Sequence, residues 1–176
     1  APRDCQHLVS VLNEAVDIND RPTVIRYSKD PMPDDIRVVA SHDGLDVLRD
    51  GPGDGILLVA HGQLCAPALA AVDQLDFPVR VVSPRWSLPV CRGLIEEAAE
   101  ARAVVSVEDG LVVSGLGSHL ADALSRRGLW RPIRNLGIPQ RYLGHDSRSA
   151  IMAELGLDAP GIADAVSQLV SQLGGE

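Results

Sequence analysis

Apolar runs of strand length alternate with helical patterns along most of the chain, from about residue 54 to the end. The clearest of these runs, 55–60, has no polar alternation, which is typical of a strand covered on both faces. The pattern predicts further strands at 79–82, 103–107 and 133–136, and helices at 64–75, 91–102, 118–127, 147–155 and 160–173. Because strands alternate with helices, we predict an α/β fold in three layers, with helices on both faces of a mostly parallel sheet.

The first 43 residues have a different pattern. Apolar positions at helical spacing predict an amphipathic helix over 2–17, and the β-branched run 23–27 predicts a short strand. The residues that follow are dense in Pro, Asp and Gly, which indicates a linker between two structural units. Residues 45–48 are a candidate edge strand at the start of the second unit. The chain therefore divides into a short N-terminal unit and a larger α/β unit.

Composition and charge narrow the class of protein. The 176 residues are 45% hydrophobic, enough for a core, and their formal net charge of -8 argues against a nucleic-acid partner, since such binding depends on Lys and Arg. Cys5, Cys65 and Cys91 lack CxxC spacing, so we expect buried thiols rather than disulfides or a zinc site. With no apolar run of ~18 residues and no signal peptide, we expect a cytoplasmic protein without a membrane partner. A helical pattern begins directly after Ala1, so we expect the native protein to continue upstream.

Two short motifs near the middle of the chain are candidates for chemistry. Glycines at 115 and 117 precede a predicted helix, as in phosphate-binding loops, but the Walker pattern and the third glycine of the dinucleotide fingerprint are missing. We therefore interpret these glycines as allowing a tight turn and close packing of helix on sheet. Glu108 and Asp109 end a predicted strand, where adjacent side chains point to opposite faces. A carboxylate bonded to the following loop is favoured over an acid–base pair.

Predicted strand ends also carry the residue types of a Ser/His/Asp triad. His61 ends the first regular strand, and Ser83, Arg85, Ser106 and Asp109 lie at other strand ends. No Gly-x-Ser-x-Gly elbow accompanies them, and a triad is recognised by geometry rather than by residue type. The sequence therefore does not favour a hydrolase.

The remaining polar groups give weaker signals. The run 145–148 is typical of a helix entry, in which Asp or Ser caps the helix and Arg lies in its first turn. His7, His42 and His119 are scattered and lack metal-ligand spacing. Lys29 follows a basic strand end, where it is either a point charge for a phosphate or a solvated residue. The residues alone leave these two interpretations of Lys29 open.

Taken in order, the motifs resemble the C-terminal third of the 1-deoxy-D-xylulose-5-phosphate synthases, which are thiamine-diphosphate-dependent members of the transketolase family. Each motif is weak alone, whereas the ordered set is specific, and the resemblance covers essentially all 176 residues. The segments that carry it are Arg26-Tyr27-Ser28-Lys29, Ser83-Pro84-Arg85-Trp86 with Leu88-Pro89, Val107-Glu108-Asp109-Gly110 through Gly115-Leu116-Gly117-Ser118, Asn135-Leu136-Gly137-Ile138-Pro139, His145-Asp146-Ser147-Arg148-Ser149 and Leu155-Gly156-Leu157.

The resemblance implies a division of labour within a longer enzyme. Residues 1–29 correspond to the end of a pyrimidine-binding domain, 30–43 to a linker and 44–176 to a transketolase C-terminal domain. The implied reaction joins pyruvate to glyceraldehyde 3-phosphate with loss of carbon dioxide, in isoprenoid and thiamine precursor supply. The site for the diphosphate of thiamine diphosphate and for Mg²⁺ is implied to lie in the N-terminal domain, and the glutamate that activates the aminopyrimidine is implied to lie upstream in the pyrimidine-binding domain. These two domains are the expected partners of this chain within a homodimer.

The resemblance assigns this chain one site residue, Lys29, as a ligand of the substrate phosphate. It implies no catalytic, cofactor-binding or metal-binding residue here, so we expect the chain alone to bind no cofactor and to be inactive. Ser28 and Asp30 replace the usual Pro and Gly, which predicts a less rigid and less cationic loop; Val113-Ser114 stands where the family prefers glycines. The alternatives are the C-terminal domain of a transketolase or of a 2-oxo-acid dehydrogenase β subunit, or a stand-alone dimerisation module.

Overall fold

The computed structural model of the protein describes residues 1–28 and 30–174. A six-stranded sheet in the order β1-β2-β4-β3-β5-β6 forms its centre. The strands are β1 Ala40–His42, β2 Leu45–Arg49, β3 Ile56–His61, β4 Val79–Pro84, β5 Ala103–Leu111 and β6 Ile133–Ile138. Strands β4, β3, β5 and β6 pair in parallel, whereas β1 and β2 are antiparallel additions at one side. The predicted mostly parallel sheet is confirmed.

Helices cover both faces of this sheet, which confirms the three predicted layers. They are α1 Cys5–Asp17, α2 Cys65–Val72, α3 Arg92–Glu100, α4 Leu116–Ser125, α5 Arg148–Glu154 and α6 Ala159–Leu173, and a 3-10 turn lies at Gly62–Leu64. Leu58 and Ala60 of β3 pack among α2, α5 and α6, while Leu57 and Val59 pack against α3 and α4. All six residues of β3 are buried, as its continuous apolar run predicts.

The N-terminal unit departs from its predicted secondary structure in two places. Helix α1 begins at Cys5 rather than at residue 2, because the Asp4 side chain caps it by accepting from the His7 N–H. The predicted strand 23–27 is wrong, since residues 22–28 have no regular secondary structure. A strand needs a neighbour for its backbone N–H and C=O groups, and the described residues place none beside this segment.

Other differences are small. The strand predicted at 45–48 forms as β2, but β1 pairs with its outer side, so β2 is not the sheet edge. β1 itself lies within the predicted linker. β5 continues past Val107 to Leu111, which carries Glu108 and Asp109 within the strand. Within the described part of the chain, no helix is both long enough and apolar enough to cross a membrane.

Candidate functional site

A cleft of about 660 Å³ opens at the carboxyl ends of the parallel strands β3, β5 and β6. Ligands of open α/β sheets bind in this position, outside the carboxyl ends of the strands. The unpaired segment 24–28 forms one wall of the cleft and helix α5 forms another. The lining residues are Ala1, Pro2, Val24, Arg26, Tyr27, Ser28, His61, Gly62, Gln63, Ser87, Glu108, Asp109, Gly110, Ile138, Leu143, Asp146, Arg148, Ile151 and Met152.

Asp109 bridges two arginines at the mouth of this cleft. Arg26 donates to the Asp109 backbone carbonyl oxygen through Nη1 and to Oδ1 through Nη2, the latter at 3.3 Å. Arg148, the first residue of α5, donates to Oδ2 at 2.7 Å. Both carboxylate oxygens of Asp109 are therefore engaged by guanidinium groups, which makes it a structural acceptor rather than a free base.

The neighbouring Glu108 serves a different partner. Its side chain is buried, and Oε1 accepts from the backbone N–H of Gly117 in the first turn of α4, at 3.4 Å. Burial raises the pKa of this carboxyl, and the backbone N–H groups of Leu116 and Gly117 partly offset that rise. A carboxyl at a helix N-terminus is favourably placed for the helix dipole. The predicted bond between a carboxylate and the backbone that follows β5 is confirmed, but its partner lies in the first turn of α4 rather than in the loop before it.

The two glycines of the 115–118 motif are packing residues. A Cβ on Gly115 would lie 2.2 Å from Glu108 Oε1, and a Cβ on Gly117 would lie 2.1 Å from Ser106 Oγ and 2.2 Å from Asn135 Oδ1. Any side chain there would push α4 off the sheet. The interpretation of the motif as a device for close packing is confirmed, and the Glu108 carboxyl occupies the helix N-terminus that a phosphate would need.

His61 pairs with a serine that the sequence analysis did not single out. Its Nε2 lies 2.7 Å from Ser87 Oγ, and burial lowers the pKa of His61 to about 3. The ring is therefore neutral at pH 7. Its Nδ1 makes no hydrogen bond to the described residues, although the Pro84 backbone lies nearby.

The Ser/His/Asp triad is not assembled. Ser83 accepts from the Cys65 thiol, Ser106 donates to Asn135, and Asp109 is held by two arginines, so no carboxylate among the described residues orients His61. Ser87 lies between the segments Ser83-Pro84-Arg85-Trp86 and Leu88-Pro89, but neither of them predicts its pairing with His61, which only the fold reveals.

Similarity to known proteins identifies the family. Residues 45–162 match the family described as "Transketolase, C-terminal domain". This chain belongs to that family. The 1-deoxy-D-xylulose-5-phosphate synthase of Cutibacterium acnes (strain DSM 16379 / KPA171202) is 89% identical over 176 residues, which is 100% of this chain and 28% of that protein. The 1-deoxy-D-xylulose-5-phosphate synthase 2 of Streptomyces avermitilis is 43% identical over 180 residues, again covering 28% of the relative. The chain thus spans less than a third of the length of these curated relatives.

Solved structures support the same fold. A protein described as "Split gene transketolase, inactive beta4 tetramer" superimposes with a TM-score of 0.82 at 27% identity, covering 95% of this chain and 55% of that one. A transketolase from Campylobacter jejuni gives a TM-score of 0.67 at 16% identity over 95% of this chain and 25% of that one, a likeness of fold alone.

Helix α1 contacts the transketolase C-terminal domain through polar side chains. Arg85 donates to Glu14 and, at 2.8 Å, to Ser10 Oγ, and Trp86 Nε1 donates to Glu14 at 3.0 Å. Arg85 is therefore a docking residue rather than part of a catalytic group.

A buried cluster completes this docking. Arg3 donates to Asp4 at 3.0 Å and to Asp46 of β2 at 2.5 Å, and its backbone N–H donates to His7 Nδ1 at 3.3 Å. Burial, followed by the charges of Arg3 and Arg85, lowers the pKa of His7 to about 4, so its ring is neutral at pH 7. The sequence does not predict this role of His7, because a single histidine in an amphipathic helix gives no such signal.

The other predicted residues fall as follows. Lys29 lies outside the described residues, so its assignment to a phosphate stays a prediction. Ser147 caps α5 by accepting from Ala150 N–H at 3.2 Å, which confirms the predicted helix entry.

Cys65 is buried, and burial raises the pKa of its thiol to about 11. Cys91 is half-buried. The expectation of a buried thiol is wrong for Cys5, which is the first residue of α1 and is exposed. Within residues 1–28 and 30–174, no three His, Cys, Asp or Glu side chains are placed to share a metal ion.

Proposed function

We propose that this chain is the C-terminal part of a 1-deoxy-D-xylulose-5-phosphate synthase. The parent enzyme would condense pyruvate with glyceraldehyde 3-phosphate, release carbon dioxide, and supply isoprenoid and thiamine precursors. The observation that carries this proposal is the 89% identity to such a synthase across the whole chain. The 27% identity to a split-gene transketolase is much lower, which makes a transketolase the weaker alternative.

The proposed role of this chain is structural support of a reaction centre built by other domains. The polar side chains of the cleft already form hydrogen bonds within the protein. Asp109 accepts from Arg26 and Arg148, Glu108 accepts from the first turn of α4, and His61 pairs with Ser87. Thiamine diphosphate carries two phosphates and a divalent cation, which call for cationic side chains, free N–H groups and oxygen ligands. The described residues do not fit that demand, so we place the cofactor and Mg²⁺ in the remaining domains.

Exposed apolar side chains on α1 support a partner domain for residues 1–29. Val9, Leu12 and Val16 recur at helical spacing on one face of α1 and are 59%, 44% and 77% exposed. Isolated exposed apolar residues are ordinary, but a stripe along one helix marks a surface that packs on something else. We propose that this stripe belongs to the pyrimidine-binding domain, within a homodimeric cytoplasmic enzyme.

A comparison of two chain lengths tests the proposed function. The full-length gene product should turn over pyruvate and glyceraldehyde 3-phosphate only with thiamine diphosphate and Mg²⁺, whereas residues 1–176 alone should show neither turnover nor calorimetric binding of the cofactor. Turnover by the short chain would contradict the structural role. A full-length protein that uses ketose phosphates in place of pyruvate would indicate a transketolase instead.

Lys29 is the proposed ligand of the substrate phosphate, and it is the single lysine of the sequence. In the full-length protein, Lys29→Ala should raise the KM for glyceraldehyde 3-phosphate roughly tenfold, because a charge-assisted bond to phosphate is lost. The KM for unphosphorylated D-glyceraldehyde should not change. Arg21→Ala is the matched control, since Arg21 is exposed and pairs only with its neighbour Asp20 among the described residues.

A further inference from the structure

The Trp130 turn, residues 126–131 between α4 and β6, holds a tryptophan in an exposed position. Trp130 is 78% exposed, although the residues on both sides of it are held. Leu129 packs against the core on the α3 and α4 face, and its N–H donates to the Leu124 carbonyl oxygen at 3.0 Å. Arg131 donates through Nη1 to the Trp130 carbonyl oxygen at 2.9 Å and through Nη2 to that of Ala99, in the last turn of α3. The exposure of Trp130 therefore follows from the fold of this turn.

The Trp130 turn also carries an excess of positive charge. Residues 125–134 contain four arginines and no Asp or Glu, in a chain whose formal net charge is -8. Arg126 pairs with Asp122 at 2.8 Å, but the acceptors of Arg131 are neutral carbonyl oxygens. Within the described part of the chain, neither the Arg127 guanidinium nor the Trp130 indole N–H has a hydrogen-bond partner. An indole and an uncompensated guanidinium thus share one exposed turn.

The other tryptophan of the chain shows what such a pair of side chains binds. Trp86 follows Arg85, and both donate to the carboxylate of Glu14 in α1, Trp86 through Nε1 at 3.0 Å and Arg85 through Nε. One indole N–H and one guanidinium thus share a carboxylate. The Trp130 turn offers the same two kinds of donor on the surface. The partner chemistry that fits is therefore a carboxylate next to an apolar side chain that can cover the indole ring.

Two other occupants fit the Trp130 turn less well. In a symmetric contact with a second copy of this chain, the same arginines would face each other, and like charges brought together at an interface are costly. A nucleic acid would meet a chain of net charge -8 with few cations at this turn, whereas its binding depends on many neutralised phosphates. An acidic protein segment meets neither objection.

We propose that Trp130 and Arg127 form a docking surface for an acidic segment of another protein, in which carboxylates flank an apolar side chain. Trp and Arg are enriched among the residues that dominate binding energy at protein interfaces. The surface lies where β5 and β6 begin, at the opposite edge of the sheet from the cleft. Docking there leaves the cleft open and does not depend on the proposed function, because no residue of the cleft takes part.

Selection from a displayed library of random peptides tests this surface in the full-length protein. The wild-type protein should enrich acidic peptides that carry an apolar residue between the carboxylates, whereas Trp130→Ala should not. Trp130→Ala should still fold, because the indole is exposed. Arg141→Ala is the matched control, since Arg141 forms an exposed pair with Glu154 at 3.4 Å and lies beyond the other end of β6. Enrichment of no acidic peptide by the wild-type protein, or equal enrichment by Trp130→Ala, would overturn the proposal.

Fluorescence anisotropy of one enriched, labelled peptide measures what each residue contributes. Trp130→Ala and Arg127→Ala should each raise the Kd roughly tenfold, because each removes one of the two proposed anchors. Arg127→Lys should keep part of the affinity, since it retains the charge but not the planar fork. Added salt should weaken binding to the wild-type protein more than binding to Arg127→Ala. An affinity that is unchanged in Arg127→Ala and insensitive to salt would contradict the acidic partner.

Single-stranded oligouridine is the probe for the competing class of partner. The full-length protein should not bind it at the salt concentration at which the acidic peptide binds. Oligouridine binding that is lost in Trp130→Ala and Arg127→Ala would overturn the proposal in favour of a nucleic-acid surface, since indole rings stack on bases and guanidiniums bind phosphates.

Discussion

Residues 45–173 bury a continuous aliphatic core on both faces of the sheet, whereas residues 1–28 lie against that core mainly through charged and polar side chains. In the sheet region, Leu58 and Leu94 are completely buried on opposite faces. In the N-terminal region, Arg3 bonds Asp46 of β2 and Ser10 accepts from Arg85 of the sheet region, while the apolar stripe of α1 is exposed. The sheet region thus buries its apolar side chains, whereas the N-terminal region leaves an apolar stripe exposed.

Because of this difference, we expect the stability of the two regions to respond to different changes. Apolar burial is roughly proportional to area and is insensitive to pH, so the sheet region should respond to changes in side-chain volume. Polar docking depends on protonation state and on complete pairing, since an orphaned buried charge costs more than a pair contributes. The N-terminal region should therefore respond to pH and to charge substitutions.

The largest expected effect is a cavity in the sheet. Leu58→Ala should lower the free energy of unfolding of residues 1–176 by about 2–5 kcal/mol, because Leu58 is fully buried at the centre of β3. Urea denaturation followed by circular dichroism measures this loss. Leu12→Ala on α1 is the matched control and should change it by less than about 1 kcal/mol. Equal losses for the two variants would remove the distinction between the regions.

The next largest effect is that α1 detaches from the sheet region as the pH falls. The pKa of His7 is lowered to about 4 in the folded protein from an ordinary value of 6.5. Between these values the unfolded state binds more protons, so stability present above pH 6.5 is lost as the pH falls towards 4. The loss should approach about 2–3 kcal/mol. The charged and titratable neighbours that set this shift are Arg3, Arg85, Asp4 and Asp46.

Hydrogen exchange at several pH values measures this release. Protection of α1 should fall from pH 7 to pH 4.5 while protection of β3 persists. His7→Gln should flatten this dependence, because glutamine cannot gain the proton, and the exposed His145→Gln is the matched control. A uniform loss of protection in α1 and β3 would mean that the two regions unfold as one unit.

The third effect tests close packing in the sheet region. Gly117→Ala should destabilise the chain by about 1–3 kcal/mol, since its Cβ would lie 2.1 Å from Ser106 Oγ and overlap Asn135 as well. Gly144→Ala is the matched control, because nothing lies within 4 Å of a Cβ there, and it should change stability by less than about 0.5 kcal/mol. Thermal unfolding of both variants measures the difference. A stable Gly117→Ala protein would show that α4 moves away at little cost.

The same contrast explains what could be read from the sequence. The continuous run 55–60 has one arrangement that buries it, which is why the parallel sheet and its helices were predictable. The run 23–27 has equally good strand character, yet strand formation depends on a neighbour that the described residues do not supply. Local pattern thus predicts an element reliably only where the described residues also supply the partner that the element needs.

The features of the candidate site also divide into those that the sequence predicts and those that only the fold reveals. Glycines 115 and 117 and the adjacent Glu108 gave correct predictions, because close packing and loop bonding act over short sequence distances. The pairs Ser87–His61 and Arg148–Asp109 connect residues far apart in sequence. Single polar residues at such positions carry no spacing signal, so only the fold brings them together.

The smallest effect in this chain alone is also the sharpest test of the comparison. Val16 is 77% exposed on the apolar stripe of α1, so Val16→Ser should change the stability of residues 1–176 by less than about 0.5 kcal/mol. In the full-length protein, the same substitution should cost about 1–2 kcal/mol, because a buried valine would lose its packing. Denaturant titration of both chain lengths makes each the control for the other. Equal effects in the two would show that the stripe covers nothing, and the N-terminal region would then be docked by polar contacts in both proteins.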